Sequence, residues 1–288
     1  MTLKEDPHII LNDVHFTYRN QEEEILKGVN LEINRGTITL ICGPTGCGKT
    51  TLIRLLNGLI PHFHAGQLEG IVRVGGKDIQ LEKTSTMAQT VAMVFQNPDN
   101  QLVSSSCEKE IAFGPENLGL PREIIKDRVE FAIQMLDLEG IREKTPVELS
   151  GGQKQKIAIA AALALQPEII VLDEPSSNLD PGSTLKLRDA ISSINKRMDT
   201  TIIIVEHRME VFLALSTHVA CMKAGRIIMH DETNEVVKKR EFHQLGVQLP
   251  ATVELFKTLA DEGLHQGNLP LDIKGACALL EDHYSKVD

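Results

Sequence analysis

The 288-residue sequence has no tryptophan, two tyrosines and eight phenylalanines. So few aromatics leave little to stack on the bases of single-stranded nucleic acid. Positive charge is scarce too: 30 lysines and arginines against 40 carboxylates give a formal net charge of -10. That balance argues against a general nucleic-acid-binding surface. The five cysteines, Cys42, Cys47, Cys107, Cys221 and Cys277, are odd in number and form no C-x-x-C pair, which fits free thiols in a reducing compartment. The longest apolar run, Ile157 to Leu165, falls far short of the roughly 20 residues that cross a bilayer. Lys4, Glu5 and Asp6 interrupt the opening stretch, so no signal peptide is read there. No internal repeat, low-complexity segment or heptad run is found.

The most informative stretch is Gly43-Pro44-Thr45-Gly46-Cys47-Gly48-Lys49-Thr50, a glycine followed after four residues by Gly-Lys-Thr. Thr37 to Cys42 before it is β-branched and apolar enough for a buried strand. After it, Thr51 to Gly58 has helical spacing, with Leu52, Leu55, Leu56 and Leu59 on one side. A glycine-bearing strand-to-helix turn can point successive N–H groups at phosphate oxygens beside the positive end of a helix. Lys49 would then reach the β- and γ-phosphates, and Thr50 would hold Mg2+. Cys47 inside this loop reads as a small filler.

Two strands, Ile9 to Tyr18 and Val29 to Ile33, are predicted to precede the loop as an antiparallel edge. Residues 60 to 81 read as a return to strands, clearest at Ile71 to Val74. They include His62 and His64, an H-x-H pair without neighbouring carboxylates or thiols and hence a weak metal candidate. Val91 to Phe95 is a short strand that delivers Gln96. From Asn97 to about Leu165 the pattern turns helical. The clearest helix starts at Pro121, read as its first residue, and carries Ile125, Val129, Ala132, Ile133 and Leu136 on one face. Leu149-Ser150-Gly151-Gly152-Gln153 then opens a second helix, a further candidate anion site.

Ile169 to Leu172 is a continuously apolar strand ending in Asp173-Glu174, two carboxylates at an edge where open α/β sheets bind ligands. A helix near 182–196 and a strand from Thr201 to Val205 follow, the strand ending at Glu206-His207. Val219 to Met222 and Gly225 to Met229 read as a closing hairpin. Beyond about 231 the chain reads as mostly helical, with amphipathic candidates at Pro250 to Ala260 and Leu271 to His283.

Taken together, these motifs make residues 8 to 230 resemble the nucleotide-binding subunits of ATP-binding-cassette (ABC) transporters. Each signature occurs once and in the family's order. Within that family, Val94 to Gln101, Ile111 to Asn117 and Leu149 to Ala158 resemble the ATPases of energy-coupling-factor importers, which power uptake of vitamins and of cobalt or nickel ions. One departure is Ser176-Ser177-Asn178 where Thr-Ser-x is common. The fold implied is α/β: a P-loop NTPase core with an antiparallel β subdomain, an α-helical insertion at about 97–165, and a small, mostly helical C-terminal domain at 231–288 used in pairing.

The resemblance also implies roles. Tyr18 would stack on adenine, and residues 43–50 with Thr51 would hold the phosphates of ATP. Ser150, Gly151, Gly152 and Gln153 would close on the ATP of a second cassette, with Asp180 in the D-loop between them. Thr50, Gln96 and Asp173 would hold Mg2+, Glu174 would polarise the attacking water, and His207 would contact the γ-phosphate. The implied partners are a second ATPase subunit, identical or a sister, a membrane-embedded coupling protein and a substrate-binding membrane protein, at the cytoplasmic face of the cell membrane. A groove lined by Asn97 to Glu110 would receive the coupling protein, with Leu102 and Val103 as test positions. A soluble cassette acting on DNA or ribosomes is the alternative. It fits less well, because such proteins carry a coiled coil or two cassettes; a P-loop kinase leaves residues 149 to 153 unexplained.

Overall fold

The computed structural model describes residues 7–284, with side chains as far as Glu281. The opening residues Lys4, Glu5 and Asp6 lie outside the described residues, as does the side chain of His283. In chain order the strands are β1 (Ile9–Tyr18), β2 (Leu26–Ile33), β3 (Ile38–Cys42), β4 (Gly66–Val74), β5 (Lys77–Asp78), β6 (Val91–Val94), β7 (Ile169–Asp173), β8 (Thr201–Val205), β9 (His218–Lys223) and β10 (Arg226–Glu232). They form two sheets, ordered β2-β1-β4-β5 and β10-β9-β3-β8-β7-β6.

The first sheet is antiparallel throughout. In the second, β9, β3, β8, β7 and β6 run parallel, and β10 closes the edge as an antiparallel hairpin with β9. Every residue of β3, β7 and β8 is buried, as expected of parallel strands covered on both faces. Alternation decides which cover each side chain meets. Leu40, Ile170, Leu172, Ile202 and Ile204 face the helical side. Ile41, Ile169, Val171, Ile203 and Val205 face the antiparallel sheet and the helix Lys49–Leu56. Each such Ile, Leu or Val contributes about 1.5–3 kcal/mol by leaving water.

The helical insertion packs Cys107–Asn117, Arg122–Leu136 and Gly151–Ala164 against one another. Arg142 joins Glu108, Glu130 and Glu139 across it at 2.7, 3.4 and 3.2 Å. The C-terminal residues Val237, Phe242, Leu249, Val253 and Phe256 continue the hydrophobic cluster of the helical side.

Two expectations need correction, and one helix was not expected. Pro121 is the residue before the helix, which begins at Arg122; its ψ of 143° already lies outside the helical range. Residues 60 to 81 are not all extended, because the chain turns back at 59–64, where the Phe63 and His64 N–H groups both bond the Leu59 carbonyl at 2.8 Å although Ile60 itself keeps an extended ψ of 130°. A helix at Thr84–Thr90 has no counterpart in the sequence reading. It is short and polar, and only Met87 and Thr90 are buried, too few to show a period.

Candidate functional site

The C-terminal ends of four neighbouring strands, β3, β8, β7 and β6, line up in that spatial order. They carry, respectively, the 43–50 loop, Glu206-His207, Asp173-Glu174 and Gln96. Parallel pairing is what gathers them. Ile41 and Val205 are register partners, as are Asp173 and Val205, and Val94 and Leu172.

The phosphate-type loop is built by glycine geometry. Gly43 has φ +147°, and a Cβ there would collide with the carbonyl oxygen of Met222, so no other residue fits. Gly48, at φ 108°, precedes the helix Lys49–Leu56. Pro44, Thr45, Gly46 and Thr50 are exposed, whereas Cys47 and Lys49 are buried. The Lys49 ammonium donates to the carbonyls of Gly43 at 2.8 Å and Pro44 at 3.0 Å, so its charge is held inside the curve of the loop. Burial pushes the Cys47 thiol up, against the pull of Lys49, in keeping with an inert filler.

Glu174 is the meeting point of the acidic end. Its φ of +45° turns the chain out of the strand, and its N–H is fixed to the Val205 carbonyl at 2.8 Å. One carboxylate oxygen accepts from Gln96 Nε2 at 2.6 Å. The other lies 3.1 Å from His207 Nε2. Asp173 beside it is 7% exposed, and burial, then the Glu174 charge, push its carboxyl up to about 6 against the pull of Arg54 and Lys49.

Tyr18 stands half-buried at the end of β1, its hydroxyl 3.1 Å from Thr51 Oγ1. Phe16 and His64 meet its ring edge-on, at 4.8 and 6.5 Å between centroids. The H-x-H pair is therefore divided. His62 Nε2 sits 2.8 Å from the Ile79 carbonyl, while His64 turns towards Tyr18.

Ser150 caps the helix Gly151–Ala164 and shares a reciprocal capping box with Gln153. Its turn packs on the chain's own 178–183 segment: Gly151 lies against the Asn178 carbonyl, and Gly152 against Ser183 and Leu179. Asp180 caps the helix Pro181–Met198 through Ser183, whose hydroxyl and N–H hold the Asp180 carboxyl below its usual range. The structure thus joins Gln96, Glu174 and His207 directly and sets the signature turn against the D-loop.

A groove of about 330 Å³ opens beside the Gln96 strand, lined by Phe95, Gln101, Leu102, Glu110 and Phe113 among others. Val103 is not among its walls and is 70% exposed, so only one of the two test positions faces the groove. Sequence reasoning did not single out Glu110 within its 97–110 segment. That buried carboxylate lines the groove and accepts from the Val103 and Ser104 N–H groups at 2.9 and 2.7 Å, fixing the loop before its own helix. It also passed over Lys154, which reaches Asp99 at 2.6 Å and ties the signature helix to the turn after Gln96. Neither has a sequence signal, because both depend on which loops the sheet brings together.

The fold and this site define a P-loop nucleotide-binding protein with an inserted helical unit. The chain belongs to the ABC transporter family, whose model matches residues 26–177; a cassette of this family is an ATP hydrolase. It is 41% identical over 273 residues to a Methanosarcina acetivorans protein named as an ABC transporter ATP-binding protein, covering 94% of this chain and 42% of that protein. A Pyrococcus horikoshii protein of the same description is 39% identical, over 89% of this chain and 90% of its own length. The chain thus spans under half the length of several curated relatives it matches. Among solved structures, CbiO1 of Clostridium perfringens, described as part of the ABC transporter complex cbiONQ, superposes with TM-score 0.75 at 31% identity, over 88% of this chain and all of that one. A dimeric ATP-binding cassette in a post-hydrolysis state with ADP and Pi superposes with TM-score 0.69 at 26% identity, over 78% of this chain and 98% of that one. No helix among the described residues is long and apolar enough to cross a membrane.

Proposed function

We propose that this chain is the ATP-hydrolysing motor of an energy-coupling-factor importer, converting ATP-driven closure of a cassette pair into uptake of a vitamin or a transition-metal ion. The observation that carries the chemistry is Glu174 held between Gln96 and His207, at the end of a strand two places from the one that enters the phosphate-type loop. The likeness to CbiO1 supports the importer type.

ATP would lie with its phosphates along residues 43–50 and its adenine beside Tyr18. Lys49, already inside the loop, would turn its ammonium from the Gly43 and Pro44 carbonyls to the β- and γ-phosphate oxygens. Water attacks the γ-phosphorus, the bond to the ADP oxygen breaks, and Glu174 takes the proton as the new P–O bond forms. His207, on the far carboxylate oxygen, would orient that water and sense the γ-phosphate.

The donor set suits Mg2+. Thr50 offers an exposed hydroxyl, Gln96 keeps its amide oxygen beyond the bond to Glu174, and Asp173 is a carboxyl raised first by burial and then by the Glu174 charge, a repulsion that a divalent cation relieves. When bound, Mg2+ would neutralise charge on the β- and γ-phosphates.

Ser150, Gly151 and Gly152 pack on their own D-loop and would offer their exposed side to the ATP of a second cassette, identical or a sister. The groove at Phe95, Leu102 and Phe113 would take a coupling helix of a membrane-embedded protein, itself joined to a substrate-binding membrane protein. On this reading the chain sits peripherally at the cytoplasmic face of the membrane, with no nucleic acid among its partners. The division into a cassette at 1–230 and a pairing domain at 231–288 belongs to the same proposal.

The deciding experiment is Glu174→Gln with ATP. Nucleotide binding is retained, hydrolysis nearly stops, and a closed dimer accumulates on gel filtration. Brisk turnover in that variant would remove Glu174 from its role.

A further inference from the structure

Glu206 is a buried carboxylate that the chemistry above does not use. It follows β8, is 2% exposed, and carries the residue number next to His207. Its backbone N–H bonds the Ile41 carbonyl of β3 at 3.3 Å, so it stands between the strand that enters the phosphate-type loop and the strand that ends in Glu174. One carboxylate oxygen accepts from the N–H groups of His207 at 2.9 Å and Arg208 at 3.2 Å. The other accepts from the Ser176 hydroxyl at 2.6 Å and the Ser176 N–H at 3.3 Å. A single side chain thereby clamps two loops, the one carrying His207 and the one leading from Glu174 to Asp180.

An apolar residue would fill this place at lower desolvation cost if packing alone were needed. What the carboxylate adds is two-sided. Four donors from two loops converge on one rigid planar group, so neither loop can shift without breaking bonds to the other. Ser176 is only four positions before Asp180, which caps the helix Pro181–Met198 and adjoins the signature turn. Ser176, the Ser176–Glu206 contact and the His207 loop therefore form one continuous hydrogen-bonded link between the residue facing the γ-phosphate and the segment facing a second cassette.

We propose that Glu206 is a positioning residue that couples His207 to the D-loop, so that occupancy of the γ-phosphate position in one cassette sets the D-loop presented to its partner. The proposal rests on the ATPase reading of the site. Ser176 is the effector end of this coupling, and its hydroxyl rather than its bulk is what matters.

The test uses the full chain in its paired state and compares wild type with Ser176→Ala, Ser176→Thr and Glu206→Gln. A glutamine can satisfy the His207 and Arg208 N–H groups with its oxygen, but then turns its amide nitrogen towards the Ser176 N–H. It therefore loses the bond to the Ser176 N–H and reverses the one to the Ser176 hydroxyl, which must now accept, so it weakens the same arm that Ser176→Ala weakens. The expected result is a kcat lowered roughly ten- to a hundredfold in Glu206→Gln and less in Ser176→Ala, with the ATP KM within about threefold of wild type. Ser176→Thr restores most of the rate, and the double variant Ser176→Ala/Glu206→Gln is no slower than Glu206→Gln alone. Unchanged kcat in both single variants overturns the proposal. So does a rate loss matched by an equal loss of ATP-binding stoichiometry, which would make Glu206 a folding strut. Should the wild-type pair itself fail to hydrolyse ATP, the ATPase reading fails instead, so the two failures are distinguishable.

Discussion

Gln96 donates its side-chain amide to Glu174 at 2.6 Å although 78 positions separate them. The bond forms because β6 and β7 are adjacent parallel strands whose ends are in register, Val94 opposite Leu172. It fixes one carboxylate oxygen of Glu174 and leaves the other towards His207. Gln96→Ala frees that carboxylate. We expect kcat for ATP to fall roughly ten- to a hundredfold, with nucleotide affinity changed by less than about threefold. Steady-state kinetics beside a binding titration checks this; an affinity loss as large as the rate loss would confine Gln96 to binding.

Asp173 gives the protein a pH signature opposite to that of most acidic residues. Its carboxyl titrates at about 6 in the fold against an ordinary 3.8, so the native state binds the proton more tightly than the unfolded chain does. The penalty is absent below about pH 4, grows as the unfolded chain ionises first, and is complete above about pH 6, where it reaches about 3 kcal/mol. Asp173→Asn removes it. In urea unfolding at pH 7.5 the variant should be more stable than wild type by up to that amount, with the gap closing towards pH 4, while its ATPase activity is lost. Equal stability of the two proteins at pH 7.5 would show that Asp173 is not held at a cost.

How much of this was legible beforehand depended on whether a feature is local. The strand Ile9–Tyr18 and the strand Thr201–Val205 have the limits that their β-branched runs predict. The buried helix at Gly151–Ala164 follows from residues apolar all round. Gln96, Glu174 and His207 could be placed at the ends of short apolar strands, and the resemblance to ABC cassettes is what singled them out. Their contact could not be derived from spacing, since it depends on the strand order β8-β7-β6. Glu206 was passed over for the same reason: at a strand end a glutamate reads as solvated, and only the approach of Ser176 from another loop makes it a clamp. The 84–90 helix escaped because its sequence, TSTMAQT, has one large apolar side chain and no face to detect.

The loop glycines should separate by environment. Gly43→Ala meets both an unfavourable φ of +147° and the Met222 carbonyl, so it should lose nucleotide binding and destabilise the fold by more than about 2 kcal/mol. Gly46, at φ +77°, has nothing within 4 Å of a Cβ; Gly46→Ala should cost only about 1–2 kcal/mol from the backbone alone. Denaturant midpoints of the two variants measure the difference. If Gly46→Ala were the more damaging to stability, the packing of the loop against β9 would not be what holds it.

Tyr18 allows its two contributions to be separated. Its hydroxyl meets Thr51 at 3.1 Å, a bond worth about 1 kcal/mol to the fold. Its ring, braced edge-on by Phe16 and His64, would be worth about 1–3 kcal/mol if adenine stacks on it, as bases do on aromatic side chains elsewhere. Tyr18→Phe keeps the ring and removes the bond, so stability should drop by about 1 kcal/mol while ATP affinity stays within about twofold. Tyr18→Ala removes both, and ATP affinity should fall roughly five- to a hundredfold. Calorimetric titration with ATP on each variant, paired with thermal unfolding, reads the two effects independently. Equal ATP affinities in Tyr18→Phe and Tyr18→Ala would mean that the adenine lies elsewhere and that Tyr18 serves only to hold β1 against the helix Lys49–Leu56.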